Sequence, residues 1–229
     1  MNQRDGLPWL TFDCYDTLVR YSESKAARLT ELVRGKGGSA EAAARAQTAF
    51  ETLERELQTG PFKLLNVVLR ESLAGAMDAA GLTCTADDEA AMIDAVRTAE
   101  PFDDAPAVLT DLKNDYRLAV LSNSEPDIIR HSIIRLGVGM DAIVLAADAK
   151  CYKPAAGMFE ALLARIDTPA DQVTHIAQSF YHDIRTAKDM GFGRRIWVNR
   201  YGRDGDREYA PDREIPDLST LRAVLEDDT

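Results

Sequence analysis

The period of the hydrophobic pattern changes twice along this chain, and the order of those changes restricts the fold more than any other feature. Leu7 to Cys14 is a short apolar run rich in Trp, Leu and Phe, with Gly6, Leu7 and Pro8 at its start, and it reads as a buried strand. From about Ser22 to Ala99 no strand pattern occurs. Ala46, Phe50, Leu53 and Leu57 recur at helical spacing, as do Leu65, Leu69, Leu73 and Met77. Gly35-Lys36-Gly37-Gly38, Gly60-Pro61 and Gly81 break these helices apart. Short apolar runs then return at Arg117 to Leu121, Ala142 to Ala146, Val173 to Ala177 and Arg195 to Val198. Helical patterns lie between them: Ala105, Val108, Leu109 and Leu112 behind Asp103 or Asp104 as N-cap with Pro106 early in the helix, and Met158, Phe159, Leu162, Leu163 and Ile166 after Pro154. Alternation of this kind predicts a parallel sheet covered on both faces. The expected fold is therefore α/β: a Rossmann-like parallel-sheet core from residues 1–19 and 100–229, with an all-helical cap domain, residues 20–99, inserted after the first strand. The polar stretch from Tyr201 to Pro216 reads as a surface loop before a final helix near Leu218 to Leu225.

Charge and cysteine usage exclude several classes of function. A net charge of −11 repels phosphate backbones, so nucleic acid is not an expected partner. Arg194, Arg195, Arg200, Arg203 and Arg207 do cluster, but acids follow directly, and the cluster reads as a solvated face. Cys14, Cys84 and Cys151 are odd in number, far apart and lack metal-binding spacing, so neither disulfides nor zinc is expected. No apolar run approaches the roughly 20 residues that span a bilayer, and no signal-peptide pattern opens the chain. The expectation is a reduced, cytoplasmic protein.

In open α/β sheets, ligands bind beyond the carboxyl ends of strands. Four such ends carry polar side chains: Asp13, Ser122 with Asn123, the Lys153 segment, and Asp183 beyond the run ending at Ala177. A carboxylate at a strand end is partly desolvated, and a neighbouring lysine keeps it ionised and able to act as a nucleophile. Each residue also has a purely structural reading. Asp13 could cap a loop, Ser122 and Asn123 could cap the helix from Pro126, Asp183 could cap the helix through Met190, and Lys153 could be solvated. Cys14, beside Asp13, points to the opposite face and reads as core.

Phe12-Asp13-Cys14-Tyr15-Asp16-Thr17-Leu18 resembles the first motif of the haloacid dehalogenase-like superfamily, with Asp13 at the nucleophile position. Leu121-Ser122-Asn123-Ser124 is similar to the second motif and Tyr152-Lys153-Pro154 to the third. The run from His175 to Asp183, followed by Ala187, Lys188 and Gly191, is similar to the fourth. The resemblance spans residues 8 to 200 and is nearest to the type II 2-haloacid dehalogenases.

What the resemblance implies is a hydrolase without a cofactor or metal, acting on a small carboxylic acid. Asp13 would attack the α-carbon and form an ester. Lys153 would pair with Asp13 and, with Asp183, position the water that cleaves it. Thr17 would hydrogen-bond the nucleophile. Tyr15, Ser122, Asn123, Ser179 and His182 would contact the substrate, and Arg45 on the second cap helix would bind its carboxylate, with Arg28, Arg34, Arg55 and Arg70 as competitors. Homodimers are common in such families. Phosphatases of the superfamily carry an acidic residue where this chain has Tyr15, and more magnesium-binding oxygens in motif four. That departure favours substitution at carbon, where a halide leaves without a proton. Three further departures affect the substrate. Asp16 replaces a usual glycine, Phe159 replaces a usual tyrosine, and Ala177-Gln178-Ser179 resembles a sister group that includes an azetidine-2-carboxylate hydrolase. A magnesium-dependent phosphatase and a catalytically silent binding protein are the rival readings. A dinucleotide enzyme is a poor one, because Gly137-Val138-Gly139 follows a helix.

Overall fold

The computed structural model describes residues 4 and 6–227. Strands β1 (Trp9–Phe12), β2 (Arg117–Ser122), β3 (Ala142–Leu145), β4 (Val173–Ala177), β5 (Arg194–Val198) and β6 (Arg213–Ile215) form one sheet in the order β3-β2-β1-β4-β5-β6. Every pairing is parallel. Parallel strands buried on both faces read as continuous apolar runs, and β1, all four residues of which are buried, does so. Chain order reverses at β1, which lies between β2 and β4, so the crevice at the carboxyl end of β1 is the switch point of the sheet. The described residues are therefore a Rossmann-like α/β fold.

Between β1 and β2 the chain forms α1 (Tyr21–Gly35), α2 (Ala40–Thr59), α3 (Leu65–Ala79) and α4 (Ala86–Arg97), followed by α5 (Ala105–Leu112). The first four pack on one another through Leu29, Val33, Ala46, Phe50, Leu69, Leu73, Met77 and Met92, a core of their own. Side-chain caps define the starts of α2 and α4: Ser39 accepts from Ala42 N, and Thr85 forms a reciprocal box with Asp88. Their attachment to the sheet side is polar as well as apolar. Glu125 accepts from the backbone and side chain of Asn66 at 3.1 and 2.6 Å, and Tyr152 donates to the Lys63 carbonyl at 3.0 Å.

Over the second half run α6 (Pro126–Leu136), α7 (Ala146–Ala149), α8 (Ala156–Ile166), α9 (Arg185–Asp189) and α10 (Leu221–Glu226). Helix α6 ends on Gly137 at φ 69°, the left-handed conformation that glycine adopts without cost. None of the described helices is long and apolar enough to cross a membrane.

Three local expectations need correction. The stretch expected to be a loop contains β6, which extends the sheet by three residues too few to carry a pattern of their own. Asp104 stands at the N-cap of α5 but makes no cap bond there; its carboxylate takes Arg200 at 2.9 Å and Leu218 N instead. Nor is the arginine cluster a solvated face throughout. Arg195 is buried against Asp212, Arg200 lies over the Phe102 ring at 3.9 Å, and Arg194 donates to the Val224 carbonyl.

Candidate active site

Asp13 follows directly on β1, and its backbone N–H still bonds the Ile176 carbonyl of β4 at 3.1 Å. The sheet thereby aims a nearly buried carboxylate into the switch-point crevice. Asp16 then bends the chain, at φ 62°. Few residues other than glycine adopt this conformation, but aspartate is among those that do, because its short side chain can bond locally. Here Asp16 accepts from Ser22 N at 2.9 Å and from the Ser22 hydroxyl, at the start of α1. The glycine-like turn is kept, and the extra charge is directed to a helix start.

That turn brings Thr17 back over Asp13. The Thr17 hydroxyl donates to Asp13 Oδ2 at 2.6 Å and accepts from Gln178 N at 2.8 Å, which joins the β1 loop to the β4 loop. Trp197 of β5 donates to the Gln178 carbonyl at 2.8 Å and fixes that loop from the other side.

Lys153 is buried and donates three hydrogen bonds: to Asp13 Oδ1 at 2.7 Å, to Asp183 Oδ1 at 2.7 Å and to the Leu121 carbonyl at 3.0 Å. An ammonium has three donors, so this one is fully used. Asn123 sets its backbone, accepting from Lys153 N at 2.6 Å and donating to Lys153 O at 3.2 Å. Asn123 thus acts on the lysine and caps nothing. Neither it nor Ser122 caps α6, whose N-cap position is Glu125. Ser122 Oγ is buried and has no hydrogen-bond partner among the described residues.

Asp183 lies in the π-helical turn Phe180–Ile184 after β4 and is wholly buried. The cap of that turn is Ser179, which accepts from His182 N at 3.1 Å and lies 3.0 Å from His182 Nδ1. Asp183 Oδ1 lies 3.0 Å from His175 Nε2, while Oδ2 has no protein partner among the described residues.

The charges follow from these contacts. Burial pushes the Asp13 carboxyl up, against the pull of Lys153, and the like charge of Asp183 adds to the rise. Burial works on Asp183 too, but Lys153 and the His175 hydrogen bond outweigh it and hold this carboxyl below its ordinary range. Burial would lower the Lys153 ammonium, yet its two carboxylate partners keep it charged. His182 is pushed down by burial, towards the neutral ring.

Tyr15 bonds Ser124 Oγ through its hydroxyl at 2.8 Å and stacks on Tyr21, centroids 4.1 Å apart. Burial raises its phenol far beyond the ordinary value. Behind Tyr21 lies a charged pair, Lys25 with both oxygens of Glu54 at 2.8 and 2.6 Å.

The structure thus gathers Asp13, Thr17, Asn123, Lys153 and Asp183 into one bonded group, with Ser122 at the end of β2 and Ser179 and His182 on the adjoining turn. Arg45 is not gathered with them. It stands on the exposed side of α2, where Nε donates to the Ala79 carbonyl at 3.4 Å. Sequence reasoning quoted His175 without giving it a part. Its signal is a polar residue inside a buried strand, which must find partners.

A magnesium ion takes about six oxygens. The site offers the carboxylates of Asp13 and Asp183, and Lys153 already holds one oxygen of each. Among the described residues no cluster of three His, Cys, Asp or Glu side chains has metal-binding geometry. This donor set fits a divalent ion poorly.

Comparison with known proteins agrees with the fold. The L-2-haloacid dehalogenase of Xanthobacter autotrophicus superposes with a TM-score of 0.81 at 20% identity, over 96% of this chain and 99% of that one. The magnesium-bound HAD-hydrolase YfnB of Bacillus subtilis superposes with a TM-score of 0.82 at 19% identity, over 98% and 100%. Among curated proteins, the N-acylneuraminate-9-phosphatase of Mus musculus is 27% identical over 103 residues, 44% of this chain. That match spans 42% of the length of the curated relative. The family model for haloacid dehalogenase-like hydrolases matches residues 8–191, from the start of β1 to the end of the Asp183 segment, and on that match this chain belongs to the haloacid dehalogenase-like hydrolases.

Proposed function

We propose that this hydrolase displaces a substituent, such as a halide, from the α-carbon of a small 2-substituted carboxylic acid by way of an ester on Asp13. The observation that carries this reading is the Lys153 ammonium, 2.7 Å from one oxygen each of Asp13 and Asp183. It holds a buried nucleophile ionised and links it to a second carboxylate.

In the first step a carboxylate oxygen of Asp13 bonds to the α-carbon. The bond to the substituent breaks, and its electron pair leaves with the halide. In the second step water adds to Cγ of the ester and gives a proton to Asp183. The bond between Cγ and the substrate-side oxygen then breaks. That oxygen takes the proton from Asp183 and leaves as a hydroxyl, while the other proton of the water passes to solvent. Water and the 2-haloacid become the 2-hydroxyacid, halide and one proton, with Asp13 restored.

Tyr15 supports the choice of leaving group. Its phenol is held by burial and bonded to Ser124, so it is a poor proton donor at the position where phosphatases place an acid. We assign the substrate carboxylate to Ser122, whose buried hydroxyl is uncommitted, together with Ser179 and His182. Helices α1 to α4, residues 20–99, act as the cap that keeps bulk water from the ester.

Opening of azetidine-2-carboxylate is the same reaction with a ring nitrogen as leaving group, already protonated. A magnesium-dependent phosphatase is the second reading, favoured by the curated phosphatase relative and opposed by Tyr15 and the thin oxygen set.

The test offers purified protein 2-chloropropionate, fluoroacetate, azetidine-2-carboxylate and p-nitrophenyl phosphate, with and without magnesium, beside Asp13→Asn. Halide or ring-opened product, lost in Asp13→Asn, supports substitution at carbon. Phosphate release that requires magnesium, with no product from the acids, establishes the phosphatase instead.

A further inference from the structure

His175 is wholly buried in β4, the strand that pairs with β1 below Asp13. Its ring is edge-on to Phe159 and Phe192, with centroids 5.6 and 5.8 Å away. These apolar walls offer no hydrogen bond, so the rotation of the ring is set by its two nitrogens. Nδ1 lies 2.8 Å from the Thr11 hydroxyl, the residue paired with it across the sheet. Nε2 lies 3.0 Å from Asp183 Oδ1. A nitrogen facing a carboxylate oxygen carries its hydrogen, so Nε2–H donates to Asp183 whatever the charge of the ring.

The consequence lies in how the four lone-pair sites of Asp183 are divided. Oδ1 receives both Lys153 Nζ and His175 Nε2, two donors on one oxygen. Oδ2 is buried with no protein partner among the described residues. A carboxylate gripped at a single oxygen by Lys153 alone could rotate and exchange its oxygens. A second donor, anchored from the sheet through Thr11, stops that rotation. Buried polar atoms are rarely left unpaired without a purpose, and an uncommitted, fixed oxygen on the carboxylate that shares Lys153 with Asp13 is what a base for water requires.

We propose that His175, held by Thr11, is the positioning residue that locks Asp183 so that Oδ2 accepts the proton of the water attacking the Asp13 ester. This rests on the two-step reading above. His175 then matters to the second step alone: water gives its proton to Oδ2, its oxygen bonds to Asp13 Cγ, and the substrate-side oxygen leaves. The first step, attack on the α-carbon, needs nothing from Asp183 Oδ2.

The experiment is a rapid-quench reaction with 2-chloropropionate, reading chloride release and the mass of the intact protein in wild type, His175→Phe, His175→Gln and Thr11→Val. In His175→Phe the chloride burst should persist at about one per chain while turnover falls about 10- to 100-fold, and the ester mass should accumulate. His175→Gln keeps an N–H near the Nε2 position and should restore most of the turnover. Thr11→Val leaves the ring and removes its anchor, and should show a smaller ester accumulation; it carries the test if His175→Phe does not fold. If burst and turnover fall together in the folded variants, with no ester, His175 is merely structural and the proposal is overturned while the two-step reading stands. If wild type itself gives neither chloride nor ester, the two-step reading fails, and the proposal with it.

Discussion

Thr17 donates a 2.6 Å hydrogen bond to Asp13 Oδ2 and with the same oxygen accepts the backbone N–H of Gln178. One hydroxyl therefore orients the Asp13 carboxylate and ties together the two loops that carry Asp13 and Asp183. Thr17→Val keeps the shape and removes both bonds. It should cost about 1–3 kcal/mol, because the buried Gln178 N–H loses its partner. Urea unfolding measures this, and loss below about 0.5 kcal/mol would mean that the loop finds another acceptor.

The same bond enters the pH dependence. Burial raises the Asp13 carboxyl while Lys153 and Thr17 pull it down. Attack requires the carboxylate, so kcat/KM should rise with pH to a break above 3.8, the ordinary value of an aspartate. Thr17→Val should move that break upward. The stability effect has opposite signs for the two acids. Asp13, raised in the folded state, contributes less stability as pH rises through its folded value. Asp183, lowered, contributes stability that is present above its ordinary value and is lost only as pH falls through its depressed one.

Lys153→Met removes the cation that bridges two buried carboxylates. Breaking a buried ion pair from one side costs about 3–5 kcal/mol, reduced to the extent that a carboxylate takes up a proton. The variant should therefore be least destabilised at low pH, and turnover should be lost at every pH. Calorimetry across pH checks the first point; a pH-independent penalty would show that neither carboxylate takes up a proton when the lysine is lost.

Asp16 holds a left-handed turn and bonds the start of α1. In Asp16→Gly the relief of backbone strain and the loss of the Ser22 bonds oppose each other, each about 1 kcal/mol, so stability should change little. Asp16→Ala keeps the strain and loses the bonds, and should be less stable than Asp16→Gly by about 1 kcal/mol. Equal midpoints in urea for the two variants would contradict this.

Arg45→Ala should leave KM for 2-chloropropionate within about twofold, since the residue is exposed on α2 and bonded to Ala79. A rise of about tenfold or more would return Arg45 to the site as the carboxylate's partner.

The sheet was legible because its strands are buried on both faces and announce themselves as apolar runs. The strand β6 was not, because three edge residues, Arg213, Glu214 and Ile215, bury only one side chain. Asp13 could be singled out as a charge directly after an apolar strand, where desolvation demands partners; Lys153, beyond α7, and Asp183, in the turn after β4, owed their roles to the resemblance of their motifs. Partners supplied by tertiary packing left no such trace. Arg45 was named on the resemblance alone, and α2 turns it outward. His175 required its cross-strand neighbour Thr11 to be known, and pairing between β1 and β4 joins residues 164 positions apart.

The most direct measurement is a single turnover in H2(18)O with enzyme in excess over 2-chloropropionate, followed by mass analysis of product and of the peptide containing Asp13. If Asp13 forms the ester, the first product carries its oxygen from the protein, and the label appears in Asp13. If the label appears in the product of that first turnover and Asp13 stays unlabelled, water attacks the α-carbon directly and the nucleophilic part assigned to Asp13 is wrong.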